Sequence, residues 1–557
     1  MVQKLFRLAR KNLVLVSILV TGLVGRIVAA PFLNKISGGD FFNFLLITKE
    51  LVNFSNPFIA KRLPFYPLLL IPGHLLGHPI GWAKILGVVA ASGSLVVLYL
   101  LGRQLKIKKE VLYLALLFTS FQSTFFIYSL RPLTHTLFTF EVLLSLYLFY
   151  NVVSFSSGDR LSNKIRADKI FPLFGVVLGL MCMTRHEGFV AAAVLFGSSI
   201  ACYASRGRSK LRYYISSLAV FLVIVAPYFV SNYLRFGNFL YSGYAADPGL
   251  NRVTGVAGLL VNFEKVKWIV LNLWGSTGYF PIKWVLVPTV LVLLAFVILK
   301  RRFSRFQSVL WSLLLLLLSL FFILNPSFSP FGFISFLFAC AMILGGLKFI
   351  IDTRWRGIPL LLILITQTIL LLFIQPWARH LQHTFPFWAL FLGIGLNWIF
   401  EGLKGKVRWS AIAVLSGVIL FNSFGGIKTG IASHQRGVLP AQPLFETVEF
   451  VKDLEGPIAF ESNASWAQYY LGDKAAYFAQ NLEIPPVDRS FERSPEEQWV
   501  WIQENKPKYL VHYTLWDAFS LVETEKFGSH FQLIKSFESV RGSENFTTEI
   551  YRVLPNR

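Results

Sequence analysis

Thirteen apolar segments, most of them near the length that crosses a bilayer as a helix, run through the first 430 of 557 residues, and the gaps between them alternate in charge. Every second gap carries three or four Lys/Arg: Lys4 to Lys11, Arg103 to Lys109, Arg160 to Lys169, Arg206 to Arg212, Lys300 to Arg305, Lys348 to Arg356 and Lys404 to Arg408. Short loops rich in Lys and Arg stay in the cytoplasm. The alternation therefore predicts a cytoplasmic N-terminus and puts the remaining gaps outside. Those outer gaps hold the polar clusters suited to chemistry: Ser37-Gly38-Gly39-Asp40, Thr184-Arg185-His186-Glu187 and Trp377-Ala378-Arg379-His380. An enzyme at the outer face of the plasma (inner) membrane is the expectation.

Composition agrees. Hydrophobic residues make up 55% of the chain and Phe alone numbers 54, far from a soluble average. The net charge of +24 raises the question of nucleic acid. About half of the Lys/Arg fall in the seven basic gaps, where topology and anionic headgroups account for them. No basic stripe interleaves with aromatics in a polar domain, so nucleic acid is not an expected partner. Cys182, Cys202 and Cys340 all lie in apolar segments and read as small buried hydrophobes, with no disulfide or metal framework.

The first segment, about residues 12–31, is too long for a signal-peptide core and reads as a retained anchor. Further spans are expected near residues 83–102, 111–128, 134–153, 170–184, 189–203, 213–231, 284–299, 307–324, 331–347, 357–375, 384–402 and 409–427. An odd number of spans puts the polar tail outside. Residues 1–430 thus form the membrane domain and residues 431–557 a small extracytoplasmic α/β domain. The tail shows strand-like runs at Pro457–Glu461, Tyr509–Tyr513, Phe531–Phe537 and Thr548–Leu554, and Ser494-Pro495-Glu496-Glu497 has the signature of a helix start. In the first long outer loop, residues 34–82, the prolines favour interfacial or re-entrant helices.

Asp40, after Gly38-Gly39, can serve as a general base on a hydroxyl, hold a divalent cation, or cap a helix at Phe41–Phe54. Arg185 can grip a phosphate with its fork of donors while Glu187 orients it, or both can form a tight interfacial turn. Arg379 and His380 stand in a similar place, where snorkelling explains Arg379 equally well. Glu141, two turns inside the fourth span, is either a polar wall of a site or a protonated structural group, and His135 lies near the outer end of the same span. No Cys/His ligand spacing appears in the outer loops and no nucleotide-binding glycine loop on the basic side. A donor embedded in the membrane fits better than a nucleotide.

Taken in order, these clusters resemble the GT-C superfamily of polytopic glycosyltransferases, in particular its bacterial branch with RgtA/B/C/D-like, protein-mannosyltransferase-related and aminoarabinose-transferase-related domains. The resemblance spans about residues 10–402. It rests on Gly39-Asp40 with Phe44, on Pro64-Phe65-Tyr66-Pro67-Leu68, and on Gly179 to Gly188, which ends in Thr184-Arg185-His186-Glu187-Gly188. Pro227 with Asn232 and Phe236-Gly237-Asn238, and Arg379-His380 before Pro386, complete it. The resemblance implies an all-α membrane fold of about 13 transmembrane helices with a polar C-terminal domain. It implies a hexosyl- or pentosyltransferase that moves a sugar from a polyprenyl-phosphate donor to a lipid, glycan or protein acceptor on the outer face. Asp40 then corresponds to the catalytic aspartate of the first loop. Arg185, Arg379 and His135 are expected to bind the donor phosphate, with Glu187, Glu141, His380 and Tyr66 in support. Two departures stand out: His186 replaces the usual Pro, and Thr134-His135 stands where many relatives are acidic. No metal or other cofactor is therefore expected, although a divalent ion remains compatible. A transporter or flippase of lipid-linked sugars is the alternative function, but the two halves of the chain do not repeat one pattern.

Overall fold

The computed structural model describes residues 12–33, 39–53, 62–155, 162–204, 211–239, 330–370, 378–401, 405–438, 442–460, 465–477, 494–513, 521–541 and 544–554. The helices are α1 (Leu13–Ala29), α2 (Gly39–Val52), α3 (Phe65–Leu75), α4 (Pro79–Gln104), α5 (Lys109–Phe121), α6 (Ser123–Tyr128), α7 (His135–Phe155), α8 (Ser162–Thr184), α9 (Glu187–Ala204), α10 (Leu211–Phe236), α11 (Pro330–Thr353), α12 (Ile358–Leu370), α13 (Phe385–Ile399) and α14 (Gly405–Val438). Among the described residues, five helical stretches are long and apolar enough to cross a membrane: Leu13–Leu33, Pro79–Gln104, His135–Val153, Tyr213–Leu234 and Val407–Gln435. The chain is a multi-pass membrane protein. The spans expected at 284–299 and 307–324 lie outside the described residues.

Three boundaries differ from the sequence reading. The span expected at 111–128 is broken at Gln122, whose backbone turns to ψ 123° and whose side-chain oxygen caps α6 by accepting from the Phe125 N–H at 2.6 Å. A side chain that satisfies the next helix start lets the chain stop one helix and begin another without orphaned donors. Helix α8 begins at Ser162, inside the basic gap expected at Arg160 to Lys169. Helix α14 runs to Val438 over 34 residues, about 51 Å, well beyond the 30 Å or so of a hydrocarbon core.

In the bundle, α11 packs along α13, α8 along α10, and α7 between α4 and α8. A core of Leu98, Leu112, Phe138, Leu146, Phe171, Met181, Ile363 and Leu390 joins them. The outer helices expose apolar side chains instead, with Leu13 and Val28 on α1 and Val223 and Leu234 on α10, as a lipid-facing surface requires. Small residues allow the closest approach. A Cβ on Gly345 of α11 would lie 1.7 Å from the Phe391 carbonyl, and one on Gly395 of α13 would lie 1.9 Å from the Ala341 carbonyl.

Beyond α14 come α15 (Gln442–Val451), β1 (Ile458–Phe460), α16 (Ser465–Leu471), β2 (Ala475–Tyr477), α17 (Pro495–Asn505), β3 (Tyr509–Tyr513), β4 (Phe531–Arg541) and β5 (Glu544–Val553). The sheet order is β2-β1-β3-β5-β4, with β1 parallel to β2 and β3, and β5 antiparallel to β3 and β4. The capping box forms at α17: Ser494 Oγ accepts from Glu497 N–H at 3.2 Å, and Ser494 N–H donates to the Glu497 carboxylate at 2.9 Å. The sheet shares one apolar core with the first-loop helices, where Phe41, Phe42, Leu45, Tyr66 and Leu70 meet Val448, Ile458, Phe460 and Ile550. Helix α16 lies on α2. The helix that opens with Gly39-Asp40 is thus packed against the polar domain as well as the bundle.

Candidate active site

The turn from Thr184 to Gly188 ends α8 and opens α9. Arg185 N–H still reaches the Met181 carbonyl at 3.3 Å, while Gly188 N–H turns back to the Arg185 carbonyl at 2.9 Å. The two helices approach so closely that a Cβ on residue 188 would lie 2.5 Å from the Met181 carbonyl, so the position takes glycine. The tight turn aims Arg185 inward. Its Nη2 meets Glu187 Oε1 at 2.5 Å, its Nε meets Glu187 Oε2 at 3.3 Å, and its Nη1 donates to Thr134 Oγ1 at 3.2 Å. Among the described residues, one of the five guanidinium hydrogens on each terminal nitrogen is left over, donors of the kind that bind a phosphate. Gln367 of α12 fixes the turn from behind by donating to the Glu187 carbonyl at 3.0 Å.

Facing this turn is the start of α7 and a 3-10 turn at Ala378–Thr384. The ring of His135 stacks on that of His380, with centroids 5.7 Å apart and planes 5° apart. Arg185, Arg379, His380 and His383 are the charged or titratable neighbours of His135. His383 packs its ring edge on Phe138 at 5.0 Å, and Gln382 donates to Thr136 at 2.8 Å, pinning the 3-10 turn to α7. His135 is 6% exposed, and among the described residues neither of its ring nitrogens has a hydrogen-bond partner. Buried polar atoms without partners usually meet water or ligand. Burial pushes His383 down to about 3, with Arg185 and His380 adding to the effect and Glu187 opposing it. Burial likewise lowers His186 to about 4, opposed by Glu187 and assisted by Arg185 and Arg62. Both imidazoles are neutral at pH 7, and the positive charge of the chamber belongs to its arginines.

Glu141 sits one level deeper. Thr184 Oγ1 donates to its Oε1 at 2.8 Å, while its Oε2 has no hydrogen-bond partner among the described residues. It ties the end of α8 to α7 beneath Arg185 and, among the described residues, makes no hydrogen bond to the Arg185–Glu187 pair. Tyr66 stands on α3, 2% exposed, edge-on to Phe44 at 5.2 Å, and the Arg62 guanidinium lies over the other ring of that pair at 5.5 Å. Asp40 occupies the second position of α2, and its side chain lies outside the described part of the structure.

Arg185, Glu187, His135, Arg379 and His380 therefore come together in one chamber, Glu141 supports its floor, and Tyr66 belongs to the helix pair that carries Asp40. Several contributors escaped the sequence reading. Gln367 and Gln382 are polar residues inside or beside long apolar runs, a signal that was readable. Arg62, in the outer loop at residues 34–82, carries no local signal of its place beside Phe44. Arg26 of α1, 1% exposed within a span, donates to Ser129 Oγ at 2.7 Å, to Gly22 O at 3.0 Å and to Ser120 O at 3.1 Å. It holds α1 to both sides of the break at Gln122.

Among the described residues, no three His, Cys, Asp or Glu side chains are placed to hold a metal ion. The chamber offers guanidinium and imidazole donors, which suit an anion.

No protein-family model matches the sequence, and no curated protein matches it. Solved structures do. ArnT from Cupriavidus metallidurans bound to undecaprenyl phosphate matches with a TM-score of 0.54 at 11% identity, over 96% of this chain and 97% of that one. The archaeal oligosaccharyltransferase AglB from Archaeoglobus fulgidus, in complex with an inhibitory peptide and a dolichol-phosphate, matches with a TM-score of 0.53 at 15% identity, over 90% of this chain and 69% of that one. Both are GT-C membrane glycosyltransferases, and this chain has their fold.

Proposed function

We propose that this protein is a glycosyltransferase that moves a hexosyl or pentosyl unit from a polyprenyl-phosphate donor to a hydroxyl of a lipid, glycan or protein acceptor at the outer face of the membrane. The observation that carries the reading is the Arg185 fork, held by Glu187 and Thr134 beside the His135–His380 stack in a buried basic chamber. That both solved neighbours hold polyprenyl phosphates supports the donor class.

In this reading Asp40 accepts the proton of the acceptor hydroxyl as its oxygen attacks the anomeric carbon. The bond from that carbon to the phosphate oxygen breaks, and the departing phosphate keeps the electron pair. Arg185 and Arg379 stabilise the developing charge with preorganised donors. His135, a neighbour of both arginines, and His380 stacked on it each donate a ring N–H to the same oxygens. Attack and departure occur on opposite faces of the sugar, so configuration inverts. Among the described residues, the groups placed to meet the phosphate are guanidinium and imidazole, and we propose that the protein needs no metal for this step.

Purified protein incubated with radiolabelled polyprenyl-phosphate sugars and envelope acceptors tests the proposal. Release of free polyprenyl phosphate with labelled acceptor is expected. Label that stays on the carrier while crossing a vesicle membrane would identify a flippase and reject the transferase.

A further inference from the structure

The loop between α4 and α5 and the facing ends of α11 and α13 enclose a cavity of about 560 Å³. It lies at the far end of the bundle from the chamber. Helix α13 starts beside the 3-10 turn of the chamber at Phe385 and reaches this cavity at Trp398, about 20 Å away along its axis. The wall carries Lys106, Lys108, Lys348 and Arg356 against two carboxylates, Asp352 and Glu401, an excess of 4 − 2 = 2 positive charges. Lys348 pairs with Asp352 at 2.6 Å and Lys108 with Glu401 at 3.4 Å, which leaves neither acid for Lys106. Phe349, Ile394 and Trp398 form an apolar side to the same space.

Lys106 is exposed and sits at φ 60°, in the left-handed region that glycine fills at the end of a helix without strain. Its N–H reaches the Arg103 carbonyl at 3.1 Å, and Ile107 N–H reaches Gly102 at 2.9 Å, closing α4. A lysine there is strained, and it adds an ammonium to the cavity wall. Topology requires basic residues on this side of the membrane. It does not require cations from separate segments to converge on one cavity with an apolar side and an indole.

We propose that this cavity binds the phosphate-bearing headgroup of an anionic membrane lipid, with the phosphate on Lys106, Lys348 and Arg356 and the start of an acyl chain against Phe349, Ile394 and Trp398. Basic pockets between membrane helices recognise headgroups in this way, and an indole suits the headgroup level. The apolar side distinguishes a lipid from free phosphate, which has no use for it.

Native mass spectrometry of the full-length protein, titrated with phosphatidylglycerol or phosphatidylcholine of the same chain length, tests this. One phosphatidylglycerol should bind at least tenfold more tightly than phosphatidylcholine. Lys106→Gln with Arg356→Gln should abolish the preference, Glu401→Gln should raise it, and Lys452→Gln with Lys526→Gln, an equal charge loss in the polar domain, should leave it unchanged. Equal binding of the two lipids overturns the proposal, as does an unchanged preference in the double variant. Should the double variant fail to fold, the lack of a rise in Glu401→Gln overturns it alone. Inorganic phosphate that displaces the lipid at equal concentration would overturn the lipid assignment in favour of a plain anion site. None of these residues touches the chamber, so the outcome is independent of the transferase reading.

Discussion

Arg185 and Glu187, two residues apart in sequence, form a part-buried two-pronged ion pair whose third donor reaches across to Thr134, the residue just before α7. The pair and Thr134 hold the guanidinium in one orientation. Replacing Arg185 with Lys keeps the charge and loses the fork. Donor affinity for radiolabelled polyprenyl phosphate should fall by about 1–3 kcal/mol, the worth of a charged hydrogen bond. Unchanged affinity would return Arg185 to the role of an interfacial turn.

Asp40→Asn keeps the size and polarity of the side chain and removes the proton acceptor. Turnover should drop by about 10²–10⁴-fold, the usual contribution of a general base, while donor binding persists. If Asp40 instead holds a metal, activity will vanish with a chelator and return with Mg²⁺ or Mn²⁺. Near-normal turnover in the variant would make Asp40 a helix cap.

His383 and His186 set a pH dependence of stability. Both are lowered by burial, to about 3 and about 4, while the unfolded chain titrates them at the ordinary 6.5. Above pH 6.5 neither state binds the proton, and their contribution to stability is fully present. Between 6.5 and 4 the unfolded chain gains protons that the folded chain refuses, so stability falls with falling pH. By pH 5 the loss is about 2 kcal/mol for each group. Thermal melting in detergent from pH 7 to 5 should show it, and His383→Asn should flatten the slope. A variant with the original slope would remove His383 from the explanation.

Gly345→Ala or Gly395→Ala should prevent the α11–α13 contact, because each new Cβ would meet a carbonyl oxygen at under 2 Å and backbone cannot step aside cheaply. Size-exclusion of a fluorescent fusion should show loss of the monodisperse peak. Gly417→Ala, where nothing lies within 4 Å, should behave as the parent. Monodisperse Gly345→Ala would mean that these helices can separate.

For orientation, alkaline-phosphatase fusions at Gly158 and at Arg557 should be inactive and active, respectively, if the basic gaps lie in the cytoplasm. The reverse pattern would invert the scheme and move the proposed chemistry to the other face.

Much was legible in the chain because membranes impose one-dimensional rules. Apolar run length depends only on local composition, and the described parts of the expected spans fall mostly on helix, with 111–128 divided between α5 and α6. The capping box at Ser494 and the strand at Tyr509–Tyr513 were equally local. What composition cannot convey is which ends meet. That His135 stacks on His380, that Gln367 braces Glu187, and that Arg26 bridges the break at Gln122 depend on helix packing between segments up to about 245 residues apart. Arg26 illustrates the difference: its charge inside an apolar run was visible in the sequence, but its partners are two carbonyls and a hydroxyl, groups whose availability only the fold creates. Segment identity is decided by transfer of residues from water to lipid, which sums over neighbours in sequence. Site geometry is decided by steric fit between helices, with Gly345 against Gly395 and Gly188 against Met181, and that exists only once the chain has packed.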